Sequence, residues 1–386
     1  MPRPVPPITA PGTGAPGARP QPAPVPPPAA TPGTDAATGA RPQPAPGQPP
    51  LPGQVPPPDR QGRRGGIGLG GAAAIGLGAG AIGGIMATQG ADRLEDVRGR
   101  RQEQREGDVT IIREPGRTII RDDDRTIIRR DETQRFRDLG IDQRVERGNG
   151  ETRTVFDRPD GTRIVTITDE DGRLIRRTRQ SRGGEEFVII DNTRRDRPER
   201  FSDEVVVLPP PPLPIPRERY IVDAEQADER LIYETITAPP IAAIPRRYTL
   251  DEVRYSPDLR ARMRSVDIDT ITFESGSWVV GQGQAQRLER IAASVKQALQ
   301  AAPNEVFLIE GHTDAVGSDI DNLSLSDRRA QAVAEIMTRD FGVPPENLTT
   351  QGYGEQYPKV ATQEAARENR RVTLRRITPL LTGASR

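Results

Sequence analysis

Proline decides where this chain can fold. Of 386 residues 40 are proline, crowded mainly into the first 64 positions and into residues 209–216. Proline lacks the amide hydrogen and holds φ near about −65°, so neither a helix interior nor a central strand tolerates such density. The run PQPAPVPPPAA at 20–30 favours extended conformations with nothing to pack. Residues 1–64 therefore read as a disordered Pro-rich tail and 209–216 as a stiff linker. Only 33% of residues are hydrophobic and 4% aromatic, too few to bury a core along the whole length. One compact domain and long stretches of linker are expected.

Composition also removes function classes. There is no cysteine, which excludes disulfides, cysteine-ligated zinc, thiol catalysis and a lipidated N-terminal cysteine in the chain as written. His312 is the only histidine, so a multi-histidine metal site is excluded and a histidine-based triad has little room. No metal, cofactor or enzymatic activity is expected, and His312 reads as a structural strand-end residue. Basic and acidic residues balance at 55 each, so no whole-molecule field draws the chain onto nucleic acid. Apart from Lys296 and Lys359 every base is arginine, which reads as the codon bias of a GC-rich genome.

Residues 65–87 carry no charge over 23 positions, close to the ~20 residues a helix needs to cross a bilayer. Gly66/Gly70, Gly76/Gly80 and Gly80/Gly84 have the spacing that lets membrane helices approach closely. Arg60, Arg63 and Arg64 precede the segment, which sets the N-terminus on the cytoplasmic side and the remainder in the periplasm. The segment is expected to hold the protein in a bacterial membrane, inner or outer. The competing reading is a flexible glycine-rich linker or a glycine zipper packed elsewhere. Met1-Pro2-Arg3-Pro4 is followed by no apolar core, so no secretory signal is expected at this start. A start further upstream, with a cleaved signal, would place all of the chain outside the inner membrane. Residues 88–107 are charged and read as a linker or short helix.

Within 108–208 an internal repeat begins. TIIR recurs at Thr110, Thr118 and Thr126, a spacing of eight. Further alternating runs follow at 162–168, 174–179 and 186–190, separated by Asp171-Gly172 and Gly183-Gly184. Period-two alternation between such turns predicts a β-meander. Strands this short, arginine-laden and poor in aromatics do not suit a transmembrane barrel. A solvated β stalk, or a small sheet covered on one side and available to a partner protein, is expected. Residues 209–264 combine the Pro-rich linker with short helices: Thr249-x-x-Glu252 is a capping box, and Ser256-Pro257 places a cap before proline. These helices are expected to lie on the domain that follows.

Residues 265–386 carry the pattern of a compact α+β domain. Ile268, Ile271 and Phe273 mark a short strand, and 284–301 has a helical apolar stripe at Leu288, Ile291, Ala292, Val295 and Leu299. Residues 306–310 read as a buried strand, and Ser326 as the cap of a second helix with Val333, Ile336, Met337 and Phe341 inward. Strands at 348–352 and 372–377 complete β-α-β-α-β with an extra strand, a two-layer α/β sandwich.

Local motifs sit at its joints: GHTD at 311–314, then Asn322, Leu325-Ser326 and Arg329-Ala330, GYGE at 352–355, Pro358 and NRRV at 369–372. In this order and spacing, residues 265–379 resemble the OmpA-like peptidoglycan-binding family, which includes Pal lipoproteins and flagellar MotB stators. The resemblance implies a domain that binds peptidoglycan through the diaminopimelate of the stem peptide. That ligand bears an ammonium and a carboxylate on one carbon, and needs one fixed anion and one fixed guanidinium nearby. By motif position Asp314 takes the ammonium and Arg329 the carboxylate, with Asn322 and Thr313 adding polar contacts. Glu274 stands where relatives often have Asp, and its longer side chain fits that role less directly. Both charged residues are expected at an exposed mouth where truncation costs little stability. Tyr353 reads as a packed aromatic, and Arg370 and Arg371 as structural support.

The resemblance makes the chain a tether between a bacterial membrane and the cell wall. One alternative is an envelope scaffold whose β repeats bind a partner. A MotB-like motor component fits less well, because 65–87 contains no ionisable residue to carry an ion.

Overall fold

The computed structural model describes residues 91–383, apart from 123–124, 194–203, 214, 269–270 and 272. The Pro-rich tail and the uncharged 65–87 segment lie outside the described residues. Among the described residues no helix is long and apolar enough to cross a membrane.

A short helix, α1 (Leu94–Arg98), leads into a four-stranded antiparallel meander of β1 (Gln102–Glu106), β2 (Val109–Glu114), β3 (Arg117–Asp122) and β4 (Arg125–Arg130). Strands of six residues, each starting eight residues after the one before, produce the sequence period of eight. At Pro115-Gly116 the turn needs Gly116 at φ 71°, a conformation closed to most side chains. The register places isoleucine against isoleucine on both faces. Ile111, Ile120 and Ile127 form one row, and Ile112, Ile119 and Ile128 the other.

That double row overturns the expectation of a one-sided, solvated sheet. The first row packs on Tyr255 and Val205, the second on Leu323 and Ile320 of the C-terminal domain. A stalk would leave one isoleucine row in water, at roughly 1.5–3 kcal/mol for each side chain. Burial on both sides instead makes the meander part of the domain, and neither isoleucine row is left for a partner.

Helix α2 (Gln134–Asp138) leads to a second antiparallel meander, β5 (Gln143–Gly148), β6 (Glu151–Asp157), β7 (Arg163–Asp169), β8 (Leu174–Gln180) and β9 (Glu186–Asp191). Phe136 of α2 stacks on Phe156 with ring centroids 4.7 Å apart, above Ile164. Arg158 and Arg179 both reach the buried carboxylate of Glu346.

The remaining elements are α3 (Arg217–Tyr220), β10 (Ile221–Asp223), α4 (Glu229–Thr237), α5 (Leu250–Tyr255), α6 (Pro257–Arg260), β11 (Ser265–Asp267), α7 (Gln282–Ala285), α8 (Glu289–Ala301), β12 (Phe307–Gly311), α9 (Asp319–Arg339), β13 (Leu348–Gly352), β14 (Val372–Arg376) and α10 (Thr378–Thr382). Their sheet has the order β10-β11-β14-β12-β13, mixed parallel and antiparallel. Helices α4, α8 and α9 cover one face through Phe307, Ile309, Val295 and Val333, the two-layer sandwich expected from the sequence. The other face is covered as well. Val306, Leu308 and Ile377 meet Leu250, Val253 and Leu259, together with Leu174, Ile189 and Ile190 of the second meander.

Two local expectations shift. The first strand ends at Asp267, and Ile268 and Ile271 are buried beyond it without being strand. The second helix begins at Asp319 rather than near Ser326. Ser318 is its cap, its hydroxyl accepting from the Asp321 amide at 3.2 Å. Ser326 lies mid-helix, where its hydroxyl donates to the Leu323 carbonyl and accepts from the Gly354 amide, both at 2.9 Å. The capping box at Thr249 and Glu252 is present as predicted.

Glycines at the ends of β12 and β13 set how closely α9 approaches. A Cβ at Gly311 would stand 2.0 Å from the Ser326 carbonyl oxygen, and one at Gly352 would stand 2.4 Å from the Asp327 amide. Gly311→Ala is expected to cost about 3 kcal/mol or more, because helix backbone rather than a mobile side chain must yield. Gly283→Ala, in helix α7 with open space around it, should change stability by less than ~0.5 kcal/mol. Thermal or urea melts of the two variants side by side check this.

Candidate functional site

The close approach of α9 brings three loops together. His312 donates its amide to the Arg371 carbonyl, Thr313 to the Gly354 carbonyl, and Tyr353 to the Gly311 carbonyl, each within 3.0 Å. GHTD, GYGE and NRRV are therefore one hydrogen-bonded joint at the ends of three adjacent strands, with the first half of α9 behind it.

Asp314 leaves this joint with its carboxylate accepting from Arg370 Nη1 at 2.6 Å. Arg329 enters from α9 and is 4% exposed. Its Nε donates to the Ser277 carbonyl at 3.0 Å and its Nη2 to the Glu274 carbonyl at 3.2 Å, with the guanidinium 4.8 Å above the Phe273 ring. Among the described residues no carboxylate forms an ion pair with it. Burial and repulsion from Arg370 outweigh the pull of Asp314 and push its pKa down to about 10. A buried cation held only by carbonyls and an aromatic face is a ready receiver for an anion.

The other predicted residues divide. Asn322 lies in the first turns of α9 and donates to Glu355 Oε2 at 2.7 Å. Thr313 is buried with its hydroxyl unpartnered and lines a cleft of about 460 Å³ with Ala315, Glu355, Pro358 and Asn369. Glu274 contributes its backbone to the site but not its carboxylate, which pairs with Arg93 at 2.7 Å on the surface. Asp314 and Arg329 are both buried, not set at an exposed mouth: Arg329 lies against loop 274–277 and the Phe273 ring, and Asp314 against Arg370. Sequence reasoning left Arg370 as support and did not connect it with Asp314. The pairing of Gly311 with Val372 across β12 and β14 is what brings them together.

His312 and Tyr353 are packed beside the joint, ring centroids 5.6 Å apart. Burial, then repulsion from Arg371, lowers the His312 pKa to about 4, with Glu310 only partly offsetting. At Glu310 burial opposes ionisation, but Arg375 at 2.7 Å and Arg260 at 3.7 Å hold its carboxyl well below the usual range. The histidine's folded pKa lies below its ordinary 6.5, so the unfolded chain binds its proton first. Stability is therefore expected to fall as pH drops from about 6.5 towards 4, by up to ~1.4 kcal/mol per pH unit. The Glu310 contribution is lost only below its ordinary value of 4.5. Melting temperature against pH should be flatter between pH 6.5 and 4.5 in His312→Gln than in the wild type; parallel curves would show that His312 does not resist protonation.

A sequence model of the OmpA family matches residues 272–371. Over 139 residues the chain is 30% identical to the putative lipoprotein YfiB of Escherichia coli, covering 33% of this chain and 85% of that protein. The chain belongs to the OmpA family. It is also similar to outer membrane porin F of Pseudomonas aeruginosa, 34% identical over 114 residues, spanning 29% of this chain and only 31% of the porin. With the peptidoglycan-associated lipoprotein of Agrobacterium fabrum it shares 37% identity over 94 residues, 23% of this chain and 48% of that protein. Among solved structures, the peptidoglycan-associated lipoprotein from Burkholderia pseudomallei aligns at 26% identity and TM-score 0.25, covering 30% of this chain and 92% of that one. The family match lies wholly within the C-terminal sandwich and includes the loops that carry Glu274, Asp314 and Arg370 and the helix that carries Arg329.

Proposed function

We propose that the C-terminal domain binds peptidoglycan non-covalently through the diaminopimelate of its stem peptide, and that the protein tethers a bacterial membrane to the wall. The observation that carries this reading is Arg329, a buried guanidinium with carbonyl partners only, beside a loop whose carboxylate is Asp314. A ligand carboxylate would complete Arg329, while the ammonium on the same carbon would join Asp314. Asn322 and Thr313 would add hydrogen bonds, and Thr313 has an unpartnered hydroxyl to offer. The name of the Agrobacterium relative, a peptidoglycan-associated lipoprotein, agrees with peptidoglycan as the polymer bound. Charge-assisted bonds of roughly 1.5–3 kcal/mol each give a grip suited to a polymer with many repeats.

Full-length protein is expected to cosediment with purified diaminopimelate-type sacculi. Asp314→Asn and Arg329→Lys should each weaken that binding at least about tenfold, because a neutral amide cannot hold an ammonium and a point-charge ammonium cannot make a two-pronged contact. Melting curves run in parallel separate lost binding from lost fold. Either variant sedimenting like the wild type would place the ligand elsewhere.

The tether also requires residues 65–87 to enter a membrane with the C-terminal side in the periplasm. Reporter fusions after Gly90 should be active only in the periplasm; activity confined to the cytoplasm would rule the tether out.

A further inference from the structure

Residues 91–101 lie far outside the family match at 272–371, yet they are built against the back of the candidate site. Arg93 pairs with Ser277 in an isolated antiparallel bridge. The Leu94 amide donates to the Gly276 carbonyl at 2.8 Å, and the Ser277 hydroxyl to the Asp92 carbonyl at 3.1 Å. Leu94 and Val97 are buried beneath. The loop held in this way is the one whose Glu274 and Ser277 carbonyls receive Arg329. A second clamp lies one helical turn away. Arg98 donates twice to Asp321, at 3.2 and 2.6 Å, and Arg101 once at 2.7 Å. Asp321 is the neighbour of Asn322 in the first turn of α9.

We propose that residues 91–101 form a strap of positioning residues: by fixing loop 274–277 and the start of α9, they orient Arg329 and Asn322, and wall affinity depends on the strap being docked. This rests on the peptidoglycan reading above. The physical reason is that Arg329 is directed by two carbonyls of an irregular loop rather than by a carboxylate. Freed of its bridge to Arg93 and its bond from Leu94, that loop loses the contacts that fix the carbonyls, and the guanidinium loses its aim. Preorganisation of a charge for its ligand is lost in this way without any change in the residues that touch the ligand. Because only three residues separate the strap from the 65–87 segment, a pull on an anchored N-terminus would reach it before it reached the site.

Full-length protein carrying Leu94→Asp places a charge under the strap and should bind sacculi at least about tenfold more weakly than the wild type, with the cooperative melt retained. The Arg93→Cys/Ser277→Cys pair, added to that variant, supplies a lock. Opposed residues of an antiparallel bridge have Cα atoms about 4.5–5.5 Å apart, within disulfide range. The chain has no other cysteine, so a reductant acts on that bond alone. Oxidised protein should recover affinity to within about threefold of the wild type and lose it again on reduction. Should Leu94→Asp fail to fold, Arg98→Gln removes the bidentate hold on Asp321 from a half-exposed position and should weaken binding about threefold or more. Unchanged affinity in the folded variants, or no recovery on oxidation, overturns the strap alone. A wild-type chain that leaves sacculi unbound overturns the peptidoglycan reading and the strap together.

Discussion

Everything at the site depends on α9 touching the sheet backbone to backbone. Gly311 and Gly352 end adjacent parallel strands, and at both the helix is so close that a single methyl group does not fit. That contact fixes the depth of α9, and with it the positions of Asn322 and Arg329 relative to the loop carrying Asp314. Ser326 and Asp327 seal the contact with bonds to the Gly354 and Gly352 amides. The Ser326 hydroxyl is spent on the joint itself, while the Asp327 carboxylate also accepts from Arg117 of the first meander at 2.7 Å through its second oxygen. Arg328 turns to Glu114 of the first meander, and Arg329 turns to loop 274–277.

A second rule organises the regions around the joint: buried carboxylates are held by arginines from separate segments. Glu114 takes Arg101 and Arg328, Glu132 takes Arg177 and Arg254, and Glu346 takes Arg158 and Arg179. Such clusters repay the desolvation of their charges only when several bonds are made at once, so removing one partner leaves the others buried and uncompensated. The planar, many-donor guanidinium suits a shared carboxylate in a way an ammonium does not. The scarcity of lysine, read from sequence as codon bias, has a structural use here.

Much of the architecture was legible because its signals are local. The eight-residue period of TIIR, the Asp-Gly turns and the apolar stripe of α8 each announce an element within a few residues. The site was legible as a set of motifs, and the structure gathers GHTD, GYGE and NRRV into one joint. What escaped depends on contacts distant in sequence. Nothing near Ile112 reveals that it will meet Leu323, so a sheet with two apolar rows looked like one with a single row. Ser326 was mistaken for a cap because its neighbours carry the motif, whereas Ser318, with Asp321 three residues on, holds the true cap. Glu274 was read as a side chain, and it is its carbonyl that faces Arg329.

The two isoleucine rows of the first meander have a consequence for biosynthesis. One row closes against Leu323, which the ribosome adds roughly two hundred residues after β4. At about 5–20 residues per second that delay is ~10–40 s. Throughout it a sheet with apolar side chains on both sides has at most one of them covered. A nascent chain of this kind is a natural client for a holding chaperone, and its last third, rather than its first, decides when the fold becomes safe from aggregation.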